Sequence, residues 1–360
     1  MPRLPSPAPA LVLIALAAWA APASAQTVAP PPVAPPPVPA PPSHPAELTG
    51  WAQVLTAGEA LRTAPDPAAP VAGAIASTGI GGRVQRVATG ADGQAWVRVA
   101  FPDRIQGWAP GTALAAAPAP AALAPAVRRA LTRRAASLGR RASLVVRDPF
   151  GRTLFAAGAR EPLILASVTK LATVTAALGA IPLPERAAAA ILGPSDNARA
   201  QTLSTRIGGG SSALGARRAS DHLATLGARW TLTDGSGLSR GNQASAGEVA
   251  DLLLAVRDSE RFRVLFRGMP VAARSGTLRY RMEGTTAAGR VRAKTGSLFD
   301  APAASALAGY VWPSGSGLGP ERALVMVVLV NRVTPERARA VQDAIAQALT
   351  APGALVEPLR

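Results

Sequence analysis

Two stretches dominated by proline and alanine divide the chain, and they set the strongest limit on what it can fold into. Residues 26–47 include the run Pro-Pro-Pro-Val-Ala-Pro-Pro-Pro-Val-Pro, and residues 117–124 form a second, shorter stretch of similar composition. Proline lacks a backbone N–H and fixes φ, so such segments favour an extended spacer. The sequence therefore predicts two folded modules, at residues 48–116 and 125–353, instead of one domain.

Residues 1–25 have the pattern of a secretory signal peptide. Arg3 supplies a short basic start, residues 11–21 are apolar, and residues 23–25, Ala-Ser-Ala, form a cleavage site. The alternative is an uncleaved anchor, but the apolar run is shorter than the roughly 20 residues that span a bilayer. We expect an exported protein of the periplasm or extracytoplasmic envelope, whose mature chain begins near Gln26 and has no transmembrane span.

The chain has no cysteine and a formal net charge of +17. The lack of cysteine excludes a thiol nucleophile, thiolate metal sites and disulfides. In an exported protein the charge favours anionic envelope polymers or carboxylate-bearing peptides as partners over nucleic acid. The alternative is a compositional preference for arginine on the solvated surface. We expect no cofactor and no metal.

Residues 48–116 predict a small all-β module, because short alternating runs are separated by Gly, Asp and Pro turns. The module resembles the bacterial SH3-like domains of envelope proteins in four segments: residues 60–65, 70–73, 96–99 and 107–108. Such domains often bind cell-wall peptides, so the resemblance implies a targeting role for this SH3-like barrel. The alternative is that Trp51, Trp96 and Trp108 only pack its core.

The pattern of residues 125–353 predicts a mixture of helices and strands. Predicted helices cover residues 125–138, 167–178 and 335–349, and predicted strands cover residues 143–147, 153–157, 291–298, 304–312 and 323–330. The helix at 167–178 is apolar apart from Ser, Thr and Lys, which indicates burial. The run Ser-Asp-His-Leu predicts a helix start with His222 in its first turn.

Lys170 and Lys294 are the only lysines among 38 basic residues. Ser167 and Lys170 are three positions apart on a predicted helix, which places both side chains on one face. A lysine can take a proton from a serine only when it is deprotonated, whereas arginine cannot deprotonate in proteins. This predicts a nucleophile and its base, provided that burial or a second cation lowers the lysine pKa by about 3.

Three short motifs follow one another, and both lysines fall inside them: Ser167-x-x-Lys170, Ser195-Asp196-Asn197 and Lys294-Thr295-Gly296. Three longer segments accompany them, at residues 232–242, 274–278 and 306–311. In this combination, residues 125 to about 352 resemble the class C low-molecular-mass penicillin-binding proteins, the D-alanyl-D-alanine carboxypeptidase and endopeptidase family. The resemblance implies an α+β, β-lactamase/transpeptidase-like fold: a central antiparallel sheet flanked by helices and built from both ends of the domain.

The resemblance also implies a role for each matched residue. Ser167 would attack the carbonyl of the penultimate D-alanine in peptidoglycan stem peptides, and Lys170 would accept the proton of Ser167. Ser195 would relay a proton to the leaving group, and Asn197 would hold Lys170 and the substrate amide. Lys294 and Thr295 would bind the terminal carboxylate. Strand 292–298, with Gly296, would pair with the extended peptide. The N–H groups of Ser167 and Ser297 would form the oxyanion hole. β-Lactam antibiotics would be covalent inhibitors. Arg240 is a candidate carboxylate contact, with a structural role as the alternative.

The chain departs from the family pattern at two points. Only 24 residues separate Lys170 from Ser195, where the family has a long insertion, and residues 299–302 replace the usual glycine-containing turn after the third motif. A β-lactamase is the enzymatic alternative, although no Glu-x-x-Leu-Asn stretch lies between Asn197 and Lys294, and Glu248 lies on a predicted apolar helix. The alternative from another class is a non-catalytic wall-binding protein that works through its SH3-like module.

Overall fold

The structure is a computed structural model that describes residues 51–55, 58–75, 81–100, 106–116, 122–149, 151–257, 260–314 and 323–356. The predicted signal peptide, the first proline-rich spacer and residues 117–121 of the second lie outside these ranges. Within them, no helix is both long enough and apolar enough to cross a membrane.

Residues 51–116 contribute one antiparallel sheet in the order β3-β2-β6-β5-β4-β1-β7. Its strands are β1 (Trp51–Val54), β2 (Glu59–Arg62), β3 (Val71–Ile75), β4 (Gly81–Thr89), β5 (Ala95–Ala100), β6 (Gln106–Pro110) and β7 (Leu114–Ala116). The alternating apolar positions of these strands face a small core of their own. The all-β character fits the sequence pattern, while the SH3-like barrel stays a prediction.

Two of the tryptophans in this module are packing residues. The side chains of Trp96 and Trp108 are only 3% and 7% exposed. The indole N–H of Trp96 donates to Asp92 Oδ1 at 3.0 Å, which satisfies its polar group. These two residues therefore favour the packing alternative over a ligand-binding aromatic surface; the side chain of Trp51 lies outside the described set.

The rest of the chain is built on a five-stranded antiparallel sheet in the order β10-β9-β15-β14-β13. Two short pairs, β11 with β12 and β16 with β8, lie beside it. The strands are β8 (Ala122–Leu123), β9 (Ala142–Arg147), β10 (Thr153–Ala157), β11 (Leu163–Ile164), β12 (Gln243–Ala244), β13 (Val291–Leu298), β14 (Ala304–Val311), β15 (Leu324–Asn331) and β16 (Leu355–Val356).

Eight α-helices within the described residues accompany this sheet. They are α1 (Pro125–Leu138), α2 (Thr169–Ala180), α3 (Glu185–Leu192), α4 (Asn197–Ile207), α5 (Ser212–Thr225), α6 (Ala246–Arg257), α7 (Glu260–Gly268) and α8 (Pro335–Thr350). Strands from both ends of the segment meet in the sheet, because β9 pairs with β15. The predicted α+β architecture, with an antiparallel sheet built from both ends, is confirmed.

The central strand β15 is buried on both faces because helices cover both sides of the sheet. Its odd-numbered apolar residues, such as Val325 and Val327, join a core with α2 and α6, and its even-numbered ones, such as Met326 and Val328, join a core with α1 and α8. This explains its continuous apolar sequence, Leu-Val-Met-Val-Val-Leu-Val. Strand β13 is left at the edge of the sheet, beside the turn that carries Ser167.

Two helix predictions need correction. Ser167 lies in a 3-10 turn, Ala166–Val168, just before α2, so the α-helix begins two residues later than expected. His222 lies in the last turn of α5, because that helix begins at Ser212, where the Ser211 hydroxyl accepts from Leu214 N at 3.2 Å. That serine cap is the signal that the sequence interpretation missed.

Candidate active site

The segment that carries Ser167 is held in a strained conformation at the entrance of the buried helix α2. Ala166 has φ of +47°, in the left-handed region that a residue with a Cβ avoids. Such a backbone costs roughly 1–3 kcal/mol and persists only where the surroundings enforce it. Here Gly237 packs directly against Ala166, because a Cβ on Gly237 would stand 2.2 Å from Ala166 O. Strain of this kind is common at functional sites.

Lys170 is the centre of the cluster. Its side chain is 0% exposed, and Nζ lies 2.8 Å from Ser167 Oγ and 2.7 Å from Asn197 Oδ1. It also donates to the backbone carbonyl of Ser236. Burial lowers the pKa of Lys170 from 10.5 to about 8, while the carboxylates of Asp234 and Asp196 oppose this decrease. The predicted contact between nucleophile and base is therefore present, and burial supplies most of the expected change in pKa.

Ser195 and Asn197 reach the cluster from the turn between α3 and α4. Asp196 is the N-cap of α4, with its side chain accepting from Arg199 N at 2.8 Å. Ser195 precedes it with φ of +64°. The cap and this second left-handed residue direct both neighbouring side chains toward the two lysines.

Lys294 approaches the Ser195 hydroxyl from strand β13. Its side chain is 0% exposed, and Nζ donates to Ser195 Oγ at 2.8 Å and to Thr295 O at 2.7 Å. Burial, and then the neighbouring charge of Lys170, keep the pKa of Lys294 well below its usual value. Ser167 and Asn197 are thus hydrogen-bonded to Lys170, and Ser195 is hydrogen-bonded to Lys294. The effect of the Lys170 charge on Lys294 places these two groups close together.

Gly296 allows β13 to pass directly beside the Ser167 turn. A Cβ at this position would stand 2.8 Å from Leu165 O and 2.9 Å from Ser167 N. A glycine within a strand allows another backbone to approach this closely. This approach places the free edge of the sheet against the N–H group of the candidate nucleophile.

The segment 232–242, which had no chemical role in the sequence interpretation, supports Lys170 from behind. The Asp234 carboxylate accepts from Gly237 N at 2.7 Å, Ser239 N at 2.9 Å and Asn242 Nδ2 at 2.6 Å. This network closes the loop that presents the Ser236 carbonyl to Lys170. It is therefore more than a tight turn, because it sets both an acceptor and a negative charge near the base.

Two further predicted residues, Thr295 and Ser297, lie along the outer part of β13. Thr295 Oγ1 is 2.5 Å from the hydroxyl of Thr277, a residue to which the sequence had given no role. Ser297 Oγ accepts from Arg339 Nη2 at 3.0 Å.

Within the described residues, the guanidinium of Arg240 donates one hydrogen bond, to Asp300 O at 2.8 Å. That contact fits the structural alternative for Arg240.

The Glu248 side chain caps the start of helix α6. Its Oε2 accepts from Ser245 N at 2.8 Å and from Ser245 Oγ at 2.9 Å, while Glu248 N donates to Ser245 Oγ at 3.2 Å. This is a capping box at the start of α6. Its carboxylate is therefore not available to activate a water against an acyl-enzyme.

The arrangement can perform nucleophilic acyl transfer. It joins a serine hydroxyl to a lysine of lowered pKa and places a second hydroxyl and a second lysine beside them. Among the described residues, no three His, Asp or Glu side chains are grouped so that they could hold a metal ion.

Comparisons with known proteins match part of this chain. Residues 180–351 match the model of the D-Ala-D-Ala carboxypeptidase 3 (S13) family. A D-alanyl-D-alanine carboxypeptidase from Actinomadura sp. (strain R39) is 42% identical over 120 residues, which cover 32% of this chain and 21% of that protein. The aligned segment thus spans about a fifth of the relative. Ser167 and Lys170 precede the residues matched by the family model.

Solved structures also resemble this chain. The TLA-3 extended-spectrum β-lactamase aligns over 62% of this chain and 96% of its own, with 14% identity and a TM-score of 0.50, which supports the fold alone. Penicillin-binding protein 4 from Haemophilus influenzae aligns over 44% of this chain and 39% of its own, with 25% identity and a TM-score of 0.38. The α+β fold of this chain therefore resembles that of the TLA-3 β-lactamase.

Proposed function

We propose that this chain is a serine-type D-alanyl-D-alanine carboxypeptidase of the S13 family, which includes class C penicillin-binding proteins. The observation that carries the proposal is the contact of buried Lys170 with Ser167, whose Nζ and Oγ atoms are 2.8 Å apart. The substrate would be the D-alanyl-D-alanine end of a peptidoglycan stem peptide. The family match and the carboxypeptidase relative support this choice of substrate.

In acylation, Ser167 Oγ forms a bond to the carbonyl carbon of the penultimate D-alanine, and its proton passes to Lys170 Nζ. A pKa of about 8 leaves about a tenth of this amine neutral at pH 7. A lysine with its ordinary pKa would have almost none. The lowered pKa thus makes Lys170 usable as a base near neutral pH.

Departure of the terminal D-alanine breaks its C–N bond and requires a proton on the leaving nitrogen. Ser195 Oγ accepts a hydrogen bond from Lys294 Nζ at 2.8 Å, so its own O–H is oriented for donation elsewhere. We assign Ser195 to this proton relay and Lys294 to holding it in place. Water then hydrolyses the acyl-enzyme and regenerates the Ser167 hydroxyl.

The close approach of β13 supports an oxyanion hole that includes Ser167 N, with Ser297 N as its partner. An oxyanion-hole donor in other hydrolases contributes about 2.7–4 kcal/mol to transition-state stabilisation. The edge of β13 would also pair with the extended peptide, as an added strand. Asn197, already bound to Lys170, would hold the substrate amide.

The test is the intact mass of the purified protein with and without a labelled penicillin, followed by peptide mapping and an assay of D-alanine release. We expect a persistent adduct on Ser167, no adduct in Ser167→Ala, and nearly none in Lys170→Arg, which keeps the charge but cannot act as a base. Full activity in Lys170→Arg would refute the base assignment. Rapid hydrolysis of the drug would favour a β-lactamase, and a folded protein without adduct or hydrolysis would favour a non-catalytic wall-binding protein.

We further propose that residues 48–116 are an SH3-like module that holds the enzyme on the cell wall, and that residues 1–25 direct export. The seven antiparallel strands of residues 51–116 support a compact β module, and buried Trp96 and Trp108 lie on its strands β5 and β6. Co-sedimentation of the full mature chain with insoluble peptidoglycan tests the binding. A mature N-terminus other than one near Gln26 would contradict the export assignment.

A further inference from the structure

The outer end of the site needs a positive charge that the two lysines do not provide. On the proposed function, the substrate ends in a carboxylate. Lys294 is buried, has a strongly lowered pKa and already donates to Ser195 and Thr295. It is therefore a poor partner for an anion that approaches from solvent.

A charge reaches this position from helix α8, outside every recognised motif. Arg339 Nη2 donates to Ser297 Oγ at 3.0 Å, and its guanidinium carbon lies 5.5 Å from the centroid of the Phe299 ring. Thr295 and Ser297 are two residues apart on β13, so their side chains share a face of the strand. The guanidinium thus extends a row of donors that includes the Thr277–Thr295 hydroxyl pair.

The packing of α8 fixes the position of Arg339. Gln342, three residues later and therefore on the same side of the helix, is completely buried. Its Nε2 donates to Ser305 Oγ at 3.2 Å, and Ser305 is the direct partner of Ser297 in the β13–β14 register. Arg281 Nη2 donates to Gln342 Oε1 at 3.1 Å from the other side. These contacts hold α8 against the strands beside the site.

The guanidinium has capacity for a ligand. One of its donors is used by Ser297, and no carboxylate within the described residues forms an ion pair with it. A planar guanidinium matches a carboxylate with two parallel hydrogen bonds. We propose that Arg339 binds the terminal carboxylate of the substrate, together with the hydroxyls of Thr295 and Ser297. This inference rests on the proposed function and specifies how the site selects peptides with a free C-terminus.

The experiment compares two peptides on the full mature chain: an acylated L-lysyl-D-alanyl-D-alanine with a free carboxylate, and the same peptide as its C-terminal amide. Arg339→Gln should lower kcat/KM for the acid about ten- to a hundredfold, the value expected for a hydrogen bond to a charged group, mainly through KM. The amide should be unaffected. Arg339→Lys should retain part of the preference for the acid over the amide, since it keeps a positive charge but loses the planar guanidinium that forms two parallel hydrogen bonds.

The matched control is Arg337→Gln, two residues earlier on α8. Arg337 is exposed and donates to Ser137 O at 3.3 Å, so this variant should behave as the wild type. Equal losses for both peptides in Arg339→Gln would indicate a merely structural role and overturn the inference, as would no loss for either. If the wild type forms the Ser167 adduct but cleaves the acid and the amide with equal kcat/KM, this inference alone is overturned. A wild type with neither adduct nor activity would overturn the proposed function as well.

Discussion

The pKa of Lys170 should respond to Asp234 in a direction that distinguishes a lysine base from other mechanisms. Burial lowers this pKa to about 8, and Asp234 is the larger of the two carboxylates that oppose the decrease, the other being Asp196. Asp234→Asn removes one negative charge near the ammonium form. The pKa of Lys170 should therefore fall below 8, and the neutral amine should become available at lower pH.

The size of the effect follows from the fraction of neutral amine. With a pKa of about 8, Lys170 is about a tenth neutral at pH 7 and about a hundredth neutral at pH 6. Since only the neutral amine accepts the Ser167 proton, the acylation rate should increase about tenfold over this interval and reach half its maximum near pH 8. Each tenfold step corresponds to about 1.4 kcal/mol in the barrier.

The assay is the second-order rate constant for acylation by a labelled penicillin between about pH 6 and about pH 9, which reports the ionisation of the free enzyme. Only the midpoint is diagnostic, because Asn at position 234 also weakens the hydrogen bonds to Gly237 and Ser239 and thereby lowers the maximum. Asp221→Asn, on the exposed side of α5, is the matched control and should leave the midpoint unchanged. A midpoint in Asp234→Asn that stays near pH 8 or moves to higher pH would refute this account of the base.

Three further substitutions test separate parts of the site. Gly296→Ala places a Cβ 2.9 Å from Ser167 N, so acylation should fall at least about tenfold, measured with the labelled penicillin; an unchanged rate would contradict the close approach of β13. Ser245→Ala removes the hydroxyl half of the capping box with Glu248 and should cost about 1 kcal/mol of unfolding free energy in urea, with acylation preserved. Thr277→Val removes the 2.5 Å contact between hydroxyls and should weaken penicillin capture by about five- to tenfold, whereas a loss of stability without a change in capture would assign it a structural role.

Periodicity predicted the secondary structure well where local pattern and tertiary burial agree. The long strands β13, β14 and β15 and the helices α1 and α8 lie within a residue or two of their predicted bounds. Prediction failed at helix starts. Ser167 lies in a 3-10 turn beside Ala166, whose φ is in the left-handed region, and His222 lies in the last turn of a helix that is capped by Ser211.

The chemistry of the candidate site was predictable in its residue types. The positions of the only two lysines, in motifs separated by more than a hundred residues, indicated a serine nucleophile with a lysine base. The structure joins these motifs through contacts such as Lys294 Nζ to Ser195 Oγ, at 2.8 Å. Sequence could not indicate which neighbours would raise or lower the pKa of Lys170, since that depends on distance and burial.

The sequence by itself thus predicted the type of the secondary-structure elements and the residue types that meet in the candidate site, because these depend on local composition and spacing. Only the tertiary structure decided the parts that depend on long-range packing. It placed the Ser236 carbonyl behind Lys170, aligned Thr277 with Thr295, and brought Arg339 from the last helix to Ser297. No periodicity or motif encodes these contacts, because each depends on how two distant elements meet across the edge of one sheet.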